Sequence, residues 1–322
     1  MNAFSNPDME PLYLRPMSKR PWRKRIKYSA IYGGVIFMIF CSRLMPRTWW
    51  LGFFGLLGRF AYMFPSQYKG MVRRHLEMAF GKEKSGDEIQ KLTREVYVMI
   101  GKNAGDILRT WSIKTRQQLE KFVVLEGREH AERALARGKG VIYFTGHIGA
   151  FELMITTMGL HGLPFKVIGT ALKDERLNDI LVAFRAAHGS EPIERGKETF
   201  KLIKTLKSGG SVGMLIDQDT KVKSRFVDFF GMPASTPVGA ALMAMKTGAA
   251  VLPAIIYLGE DNLQHMTIMP ELELTKTGDE EHDMVVNTQR FTTILEEAIR
   301  RHPAQWVWMH ERWKTKPGEE ER

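Results

Sequence analysis

Residues 140–152 read Gly-Val-Ile-Tyr-Phe-Thr-Gly-His-Ile-Gly-Ala-Phe-Glu. The first six, Gly140–Thr145, carry no charge and are rich in β-branched and aromatic side chains, which reads as a buried strand. The pattern breaks at Gly146. Gly146 and Gly149 bracket His147 and Ile148, and two glycines so close allow a tight turn and a close backbone approach. Apolar residues then resume at helical spacing over 149–160, with Glu152 near the start of that helix. The stretch is therefore strand, turn, helix, with a histidine on the turn. Ligands of open α/β sheets sit outside the carboxyl ends of the strands, which is where His147 falls.

The same alternation continues outward. Strands are expected at Gly140–Thr145, Pro164–Gly169, Ser211–Asp217, Ala249–Tyr257 and Gln264–Met269. Helices are expected at about 149–160, 174–187, 197–208, 237–247 and 283–301, and an earlier one from Ser85-Gly86-Asp87 to about Trp111. Alternation of this kind predicts an α/β fold with a mostly parallel central sheet covered by helices on both faces. No internal repeat is present. Cys41 is the sole cysteine, which excludes an intramolecular disulfide and a Cys/His zinc cluster. No metal or other cofactor is expected.

The net charge of +11 is confined to one end. Residues 1–74 hold 13 Lys/Arg against Asp8 and Glu10, and the rest of the chain is balanced at 34 of each sign. Within that arm Tyr28–Ser42 and Thr48–Gly58 are uncharged and aromatic-rich. A nucleic-acid arm is seldom so apolar. Aromatic anchors between basic brackets fit an anionic membrane instead. The expected organisation is a basic unstructured tail over 1–20, an N-terminal membrane anchor over 21–80 containing a hydrophobic helix, and an α/β domain over 81–322. The uncharged stretches are short for a span and basic on both sides, so a single transmembrane helix and an in-plane anchor both remain open.

His147 and Glu152 are five residues apart. Mid-helix they would point away from each other, but a histidine on the preceding turn can fold back onto a carboxylate in the first helical turn. Such a pair suits general-base catalysis, the carboxylate fixing the imidazole tautomer. The turn holds no Ser or Cys to serve as a covalent nucleophile, which favours direct attack by an acceptor hydroxyl. The alternative is a structural histidine capped by a nearby acid.

At this point the chain resembles a known family. The H-x4-[DE] spacing, within GVIYFTGHIGAFE, is similar to the signature of the late lipid A acyltransferases, which transfer lauroyl and myristoyl groups in Gram-negative bacteria. Arg73-Arg74-His75-Leu76 through Ala79-Phe80, Leu215-Ile216-Asp217-Gln218-Asp219, Phe229-Phe230-Gly231 through Gly239, and Gln305–Lys314 resemble further segments of that family in the same order. Ala150-Phe151 stand where the family has Asn-Trp, and Glu311 where it has Arg. The resemblance implies acyl transfer from an acyl carrier protein thioester to a hydroxyl of a lipid A precursor. It implies a catalytic domain at the cytoplasmic face of the bacterial inner membrane, with His147 as general base and Glu152 as its orienting acid. Arg185, Arg195 and Lys197 become candidates for holding acceptor phosphates, against the alternative of a solvated basic face. Asp217 and Asp219, at a strand end, become substrate-binding candidates, against the alternative of turn caps. Trp306, Trp308 and Trp313 read as packing residues and His310 as structural. Another glycolipid or lysophospholipid acceptor, or a non-catalytic membrane-surface protein, are the competing readings.

Overall fold

A computed structural model describes residues 22–169, 172, 174–194 and 199–319. Four helices come first: α1 (Trp22–Leu44), α2 (Arg47–Met63), α3 (Gln67–Phe80) and α4 (Gly86–Thr110), then a single turn α5 (Arg116–Leu119). The alternating part follows: β1 (Val123–Glu126), α6 (Arg128–Ala136), β2 (Val141–Thr145), α7 (Leu153–Leu160), β3 (Lys166–Gly169), α8 (Glu175–Ala187), β4 (Pro192–Glu194), α9 (Thr199–Lys207) and β5 (Ser211–Leu215). A hairpin of β6 (Ser224–Phe229) and β7 (Met232–Pro237) leads into α10 (Gly239–Thr247), β8 (Ala250–Leu258), β9 (Gln264–Ile268) and α11 (Glu280–Arg301).

Seven strands form one sheet in the order β1-β9-β8-β2-β5-β3-β4. All its pairings are parallel except β8 with β9. β2 lies near the centre and all five of its residues are buried. Its side chains alternate between two cores. Ile142 and Phe144 pack with Val212, Met214 and the α11 residues Phe291 and Leu295. Val141 and Tyr143 pack with Leu153 and Met158 of α7 on the other face. A central parallel strand covered on both faces reads as an unbroken apolar run, which is why β2 was legible.

Local signals fix the long helices. Ser85 and Glu88 form a reciprocal capping box at the start of α4. Asp279 caps α11, whose first turn holds Glu280, Glu281 and Asp283 and whose last holds Arg300 and Arg301. That charge distribution suits the helix dipole at both ends.

The expected strands and helices all appear, mostly within one to four residues of their expected ends. The strand expected over Ser211–Asp217 stops at Leu215, leaving Asp217 in the turn beyond it. β1, β4 and the β6–β7 hairpin were not anticipated. The expected tail over 1–20 lies outside the described residues. No described helix is long and apolar enough to cross a membrane, so the transmembrane helix left open above is not found. Within the expected anchor, Val72, Leu76 and Phe80 of α3 belong to the main core. α1 and α2 instead leave Phe37, Phe40, Leu44, Trp49, Leu56 and Phe60 exposed.

Candidate active site

β2 and β5 are parallel neighbours with Thr145 opposite Leu215. His147 and Asp217 each lie two residues past the end of their strand. The register therefore sets them side by side at the carboxyl edge of the sheet. The Nδ1–H of His147 donates to Asp217 Oδ1 at 2.8 Å. Asp217 Oδ2 accepts the backbone N–H of His147 at 2.7 Å and the indole N–H of Trp306 at 2.7 Å. The Asp217 side chain is 1% exposed and that of His147 17%, so the acid is interior and the imidazole reaches the surface of the site.

The glycines of the motif make this approach possible. A Cβ at Gly146 would stand 3.0 Å from Asp217 Oδ2 and 2.8 Å from the Leu295 methyls. Gly149 has φ +59°, and a Cβ there would stand 2.3 Å from the carbonyl oxygen of Ile256. The loop is also stitched from the far side. Gly149 N–H donates to Gln305 O at 2.9 Å, and Val307 N–H donates to His147 O at 3.1 Å. The Gln305 amide in turn bonds both the N–H and the C=O of Leu258, each at 2.8 Å. The turn carrying His147 is thus held between β5 and the segment after α11.

Electrostatics sets the protonation pattern. Burial pushes the Asp217 carboxyl upward. The charge and hydrogen bonds of His147, with the Trp306 indole, outweigh this and bring it down to about 2. An ionised carboxylate only accepts, so it fixes the proton of a neutral His147 on Nδ1 and leaves Nε2 as the basic nitrogen. The amide Nε2 of Gln218 lies 3.2 Å from that nitrogen. Behind Asp217 lies a buried cation, Arg312, which donates to Ser235 O at 2.6 Å and to the Thr236 hydroxyl. Burial pulls its guanidinium down to about 10, opposed by the charges of Asp217 and Asp219.

Glu152 occupies a different place from the one expected. It stands immediately before α7 and its carboxylate takes the fork of Arg185, at 2.5 Å to Nη2 and 3.3 Å to Nε. Both side chains are mostly buried, at 15% and 10% exposed. The carboxylate on Nδ1 of His147 is therefore Asp217, which corrects the expectation that Glu152 orients the histidine and that Asp217 serves the substrate. The physical reason is sheet register, which brings a residue 70 positions away onto Nδ1. Arg185 is engaged by Glu152 rather than presented as an open fork for phosphate. Asp219 accepts Thr315 N–H at 2.8 Å and the Thr315 hydroxyl at 3.1 Å, so it acts as a staple between the β5 turn and the C-terminal segment. Arg195 and Lys197 lie outside the described residues. His310 is held neutral by burial, and its Nε2 accepts the Asp219 N–H at 3.1 Å. Trp306 packs as expected and also donates to the site. Gln218 and Gln305 were not singled out from the sequence, since their parts depend on contacts 71 and 47 residues distant.

Among the described residues no group of three or more His, Cys, Asp or Glu could hold a metal ion. An apolar slot opens beside the pair, lined by Tyr143, Thr145, Phe151, Met154, Phe165 and Leu215, with Glu152 at its rim. Burial pushes the Tyr143 phenol up to about 12, so it stays uncharged there.

The family described as bacterial lipid A biosynthesis acyltransferase matches residues 17–315 of the chain. A phosphatidylinositol mannoside acyltransferase of Mycobacterium tuberculosis is 29% identical over 205 residues, 62% of this chain and 62% of that protein. The chain thus spans less than two thirds of that relative. The lipid A biosynthesis lauroyltransferase of Escherichia coli K12 is 25% identical over 81% of this chain and 84% of its own length. The palmitoleoyltransferase of the same organism is 25% identical over 85% and 94%. With the family's model matching nearly the full length, the chain belongs to the bacterial lipid A biosynthesis acyltransferase family.

Proposed function

We propose that this protein transfers a fatty acyl group from an acyl carrier protein thioester to a hydroxyl of a lipid A precursor, at the cytoplasmic face of a bacterial inner membrane. The observation that carries the reading is the His147–Asp217 pair at the carboxyl edge of the sheet, with Nε2 directed away from the acid and an apolar slot alongside. The acceptor hydroxyl attacks the thioester carbonyl carbon and its proton passes to His147 Nε2. A C–O bond forms and the carbonyl electron pair moves onto oxygen. The tetrahedral intermediate then collapses, the C–S bond breaks, and the leaving thiolate takes the proton from the imidazolium. The products are an acyl ester and the free thiol of the carrier protein. Asp217 steadies the imidazolium through Nδ1. The slot, apolar apart from Glu152, receives the first carbons of the acyl chain next to the thioester.

Glu152 lines that slot and is held there by Arg185. Their role in catalysis is to fix the start of α7 and the mouth through which the acyl group enters. Arg195 and Lys197 are the proposed contacts for the acceptor's phosphates, since Arg185 is engaged by Glu152. The exposed aromatic faces of α1 and α2, flanked by basic residues, lie in the plane of an anionic membrane and deliver a lipid acceptor to the site.

The mycobacterial relative favours a second reading, in which the same chemistry acts on a phosphatidylinositol mannoside. Mass spectrometry of lipid A from cells with and without the gene, complemented by wild type or His147→Ala, decides between them. Loss of one acyl chain, restored only by wild type, supports the first reading. Unchanged lipid A, with in vitro acylation of the mannoside, supports the second.

A further inference from the structure

We propose that Gln218 is a catalytic residue. Its amide caps the base nitrogen of His147 while no acceptor is bound, then donates to the thioester carbonyl oxygen once the acceptor hydroxyl takes that nitrogen over. The proposal rests on the acyl-transfer reading above. The geometry on which it stands is specific. Asp217 takes the Nδ1 proton, so the lone pair of a neutral His147 is on Nε2, and the group 3.2 Å from it is the Gln218 amide nitrogen. A neutral imidazole nitrogen without a proton calls for a donor, which settles the orientation of the amide.

Gln218 is also well placed to remain in the reaction. It follows Asp217 directly, so the residue that orients the base and the residue that caps it share one turn. The next residue is fixed twice, by Asp219 N–H to His310 Nε2 at 3.1 Å and by the Asp219 carboxylate to Thr315 N at 2.8 Å. The turn is therefore rigid on both sides and only the Gln218 side chain has to rotate. An acceptor oxygen that hydrogen-bonds Nε2 must displace the amide from that contact. When this oxygen attacks, the carbonyl oxygen is attached to the same carbon, one bond further on. A displaced amide N–H lies within reach of it. As the new C–O bond forms and negative charge moves onto the carbonyl oxygen, the amide is a preorganised donor held beside it. When the C–S bond breaks the charge leaves that oxygen, and the amide returns to Nε2.

The test compares wild type with Gln218→Ala and the isosteric Gln218→Glu, whose ionised carboxylate accepts but cannot donate. Two readouts are taken. In steady-state transfer from acyl carrier protein thioester to a lipid A precursor, kcat falls about 100-fold in both variants, the size of one lost oxyanion donor. The KM values stay within about threefold, because the interaction is made in the transition state. In 15N spectra of the substrate-free protein, the Nε2 resonance of His147 moves to the position of an unbonded acceptor in Gln218→Ala and to that of a protonated nitrogen in Gln218→Glu. A Gln218→Ala enzyme with unchanged Tm and near wild-type kcat overturns the catalytic role, and an unmoved Nε2 resonance overturns the cap. Wild type that transfers no acyl group fails the acyl-transfer reading instead, and the 15N readout still decides the cap.

Discussion

His147 and Glu152 drew attention because five residues separate them, yet the carboxylate on Nδ1 of His147 is Asp217. Spacing along the chain reports only local neighbours. The pairing that matters follows from Thr145 lying opposite Leu215, a relation that exists only once β2 and β5 are in register. The turn itself, its glycines and its position at a strand end were legible, whereas the choice of carboxylate was not. The histidine and the glutamate should behave differently when removed. His147→Ala abolishes transfer and also lowers Tm, because it takes the side-chain partner from the buried Asp217 carboxylate. Glu152→Ala lowers both, since it leaves the buried Arg185 cation without its carboxylate, a loss of about 3 kcal/mol, readable in urea denaturation. An unchanged Tm in Glu152→Ala would contradict the buried ion pair with Arg185. Asp217→Asn keeps the shape but removes the charge that fixes the imidazole proton, and kcat falls by about 10³-fold or more. Stability carries a further sign. Because the folded-state pKa of Asp217 is depressed to about 2, its contribution is fully present above the ordinary carboxylate range. It is lost as pH falls from there through about 2. The stability gap between wild type and Asp217→Asn should therefore narrow in that window; a gap constant from neutral pH to below it would refute the ionised, paired carboxylate.

The elements that the sequence announced were those with strong periodic or capping signals. β2 reads as a strand because both its faces are buried, and α4 because Ser85 and Glu88 close a capping box. β1 and β4 are four and three residues long, too short for a period to show. The β6–β7 hairpin escaped notice for a different reason. Its two-residue turn is Phe230-Gly231, both at positive φ, at 56° and 73°. Two-residue turns of that backbone usually announce themselves by Asn-Gly or Asp-Gly, and a phenylalanine in the first place hides the signal. Phe230 accepts it because its ring is packed against Phe80 and Trp308. Element packing also explains how α2 is tied to the catalytic half of the molecule. Arg47 forks onto Asp106 of α4 at 2.7 and 2.9 Å, and Gln264 of β9 donates to the same carboxylate at 2.8 Å. The Asp106 side chain is fully buried. Arg47→Met should cost about 3 kcal/mol by stranding that charge, measured by urea denaturation. A loss under about 0.5 kcal/mol, the range of a surface pair, would show that α2 is held by apolar packing alone.

At the scale of the whole molecule, two properties sit at one end. The net positive charge is concentrated in the first 74 residues, and the exposed aromatic side chains are concentrated on α1 and α2. A water-facing helix pair has no need of Phe37, Phe40, Trp49 and Phe60 on its surface. An in-plane anchor does, with the basic residues meeting lipid phosphates. Replacing Phe40 and Phe60 by Asp should leave Tm unchanged, since both are exposed, and should release the protein from vesicles containing anionic lipid in a sedimentation assay. Undiminished sedimentation at moderate salt would assign membrane binding elsewhere. The general plan of sheet and covering helices was legible at this scale, because five of the seven sheet strands and the helices between them announced themselves. The membrane geometry was not, because an uncharged stretch of fifteen residues is compatible with crossing a bilayer and with lying on it.

Everything proposed for the site depends on His147 acting as the base of an acyl transfer. The most direct measurement is single-turnover transfer from a labelled acyl carrier protein thioester to a lipid A precursor, with wild type and His147→Ala at equal concentration and both folded at the assay temperature. The prediction is an acylated lipid in the wild-type reaction and at least about 10³-fold slower formation in the variant. A variant that forms the same product at a comparable rate would contradict it.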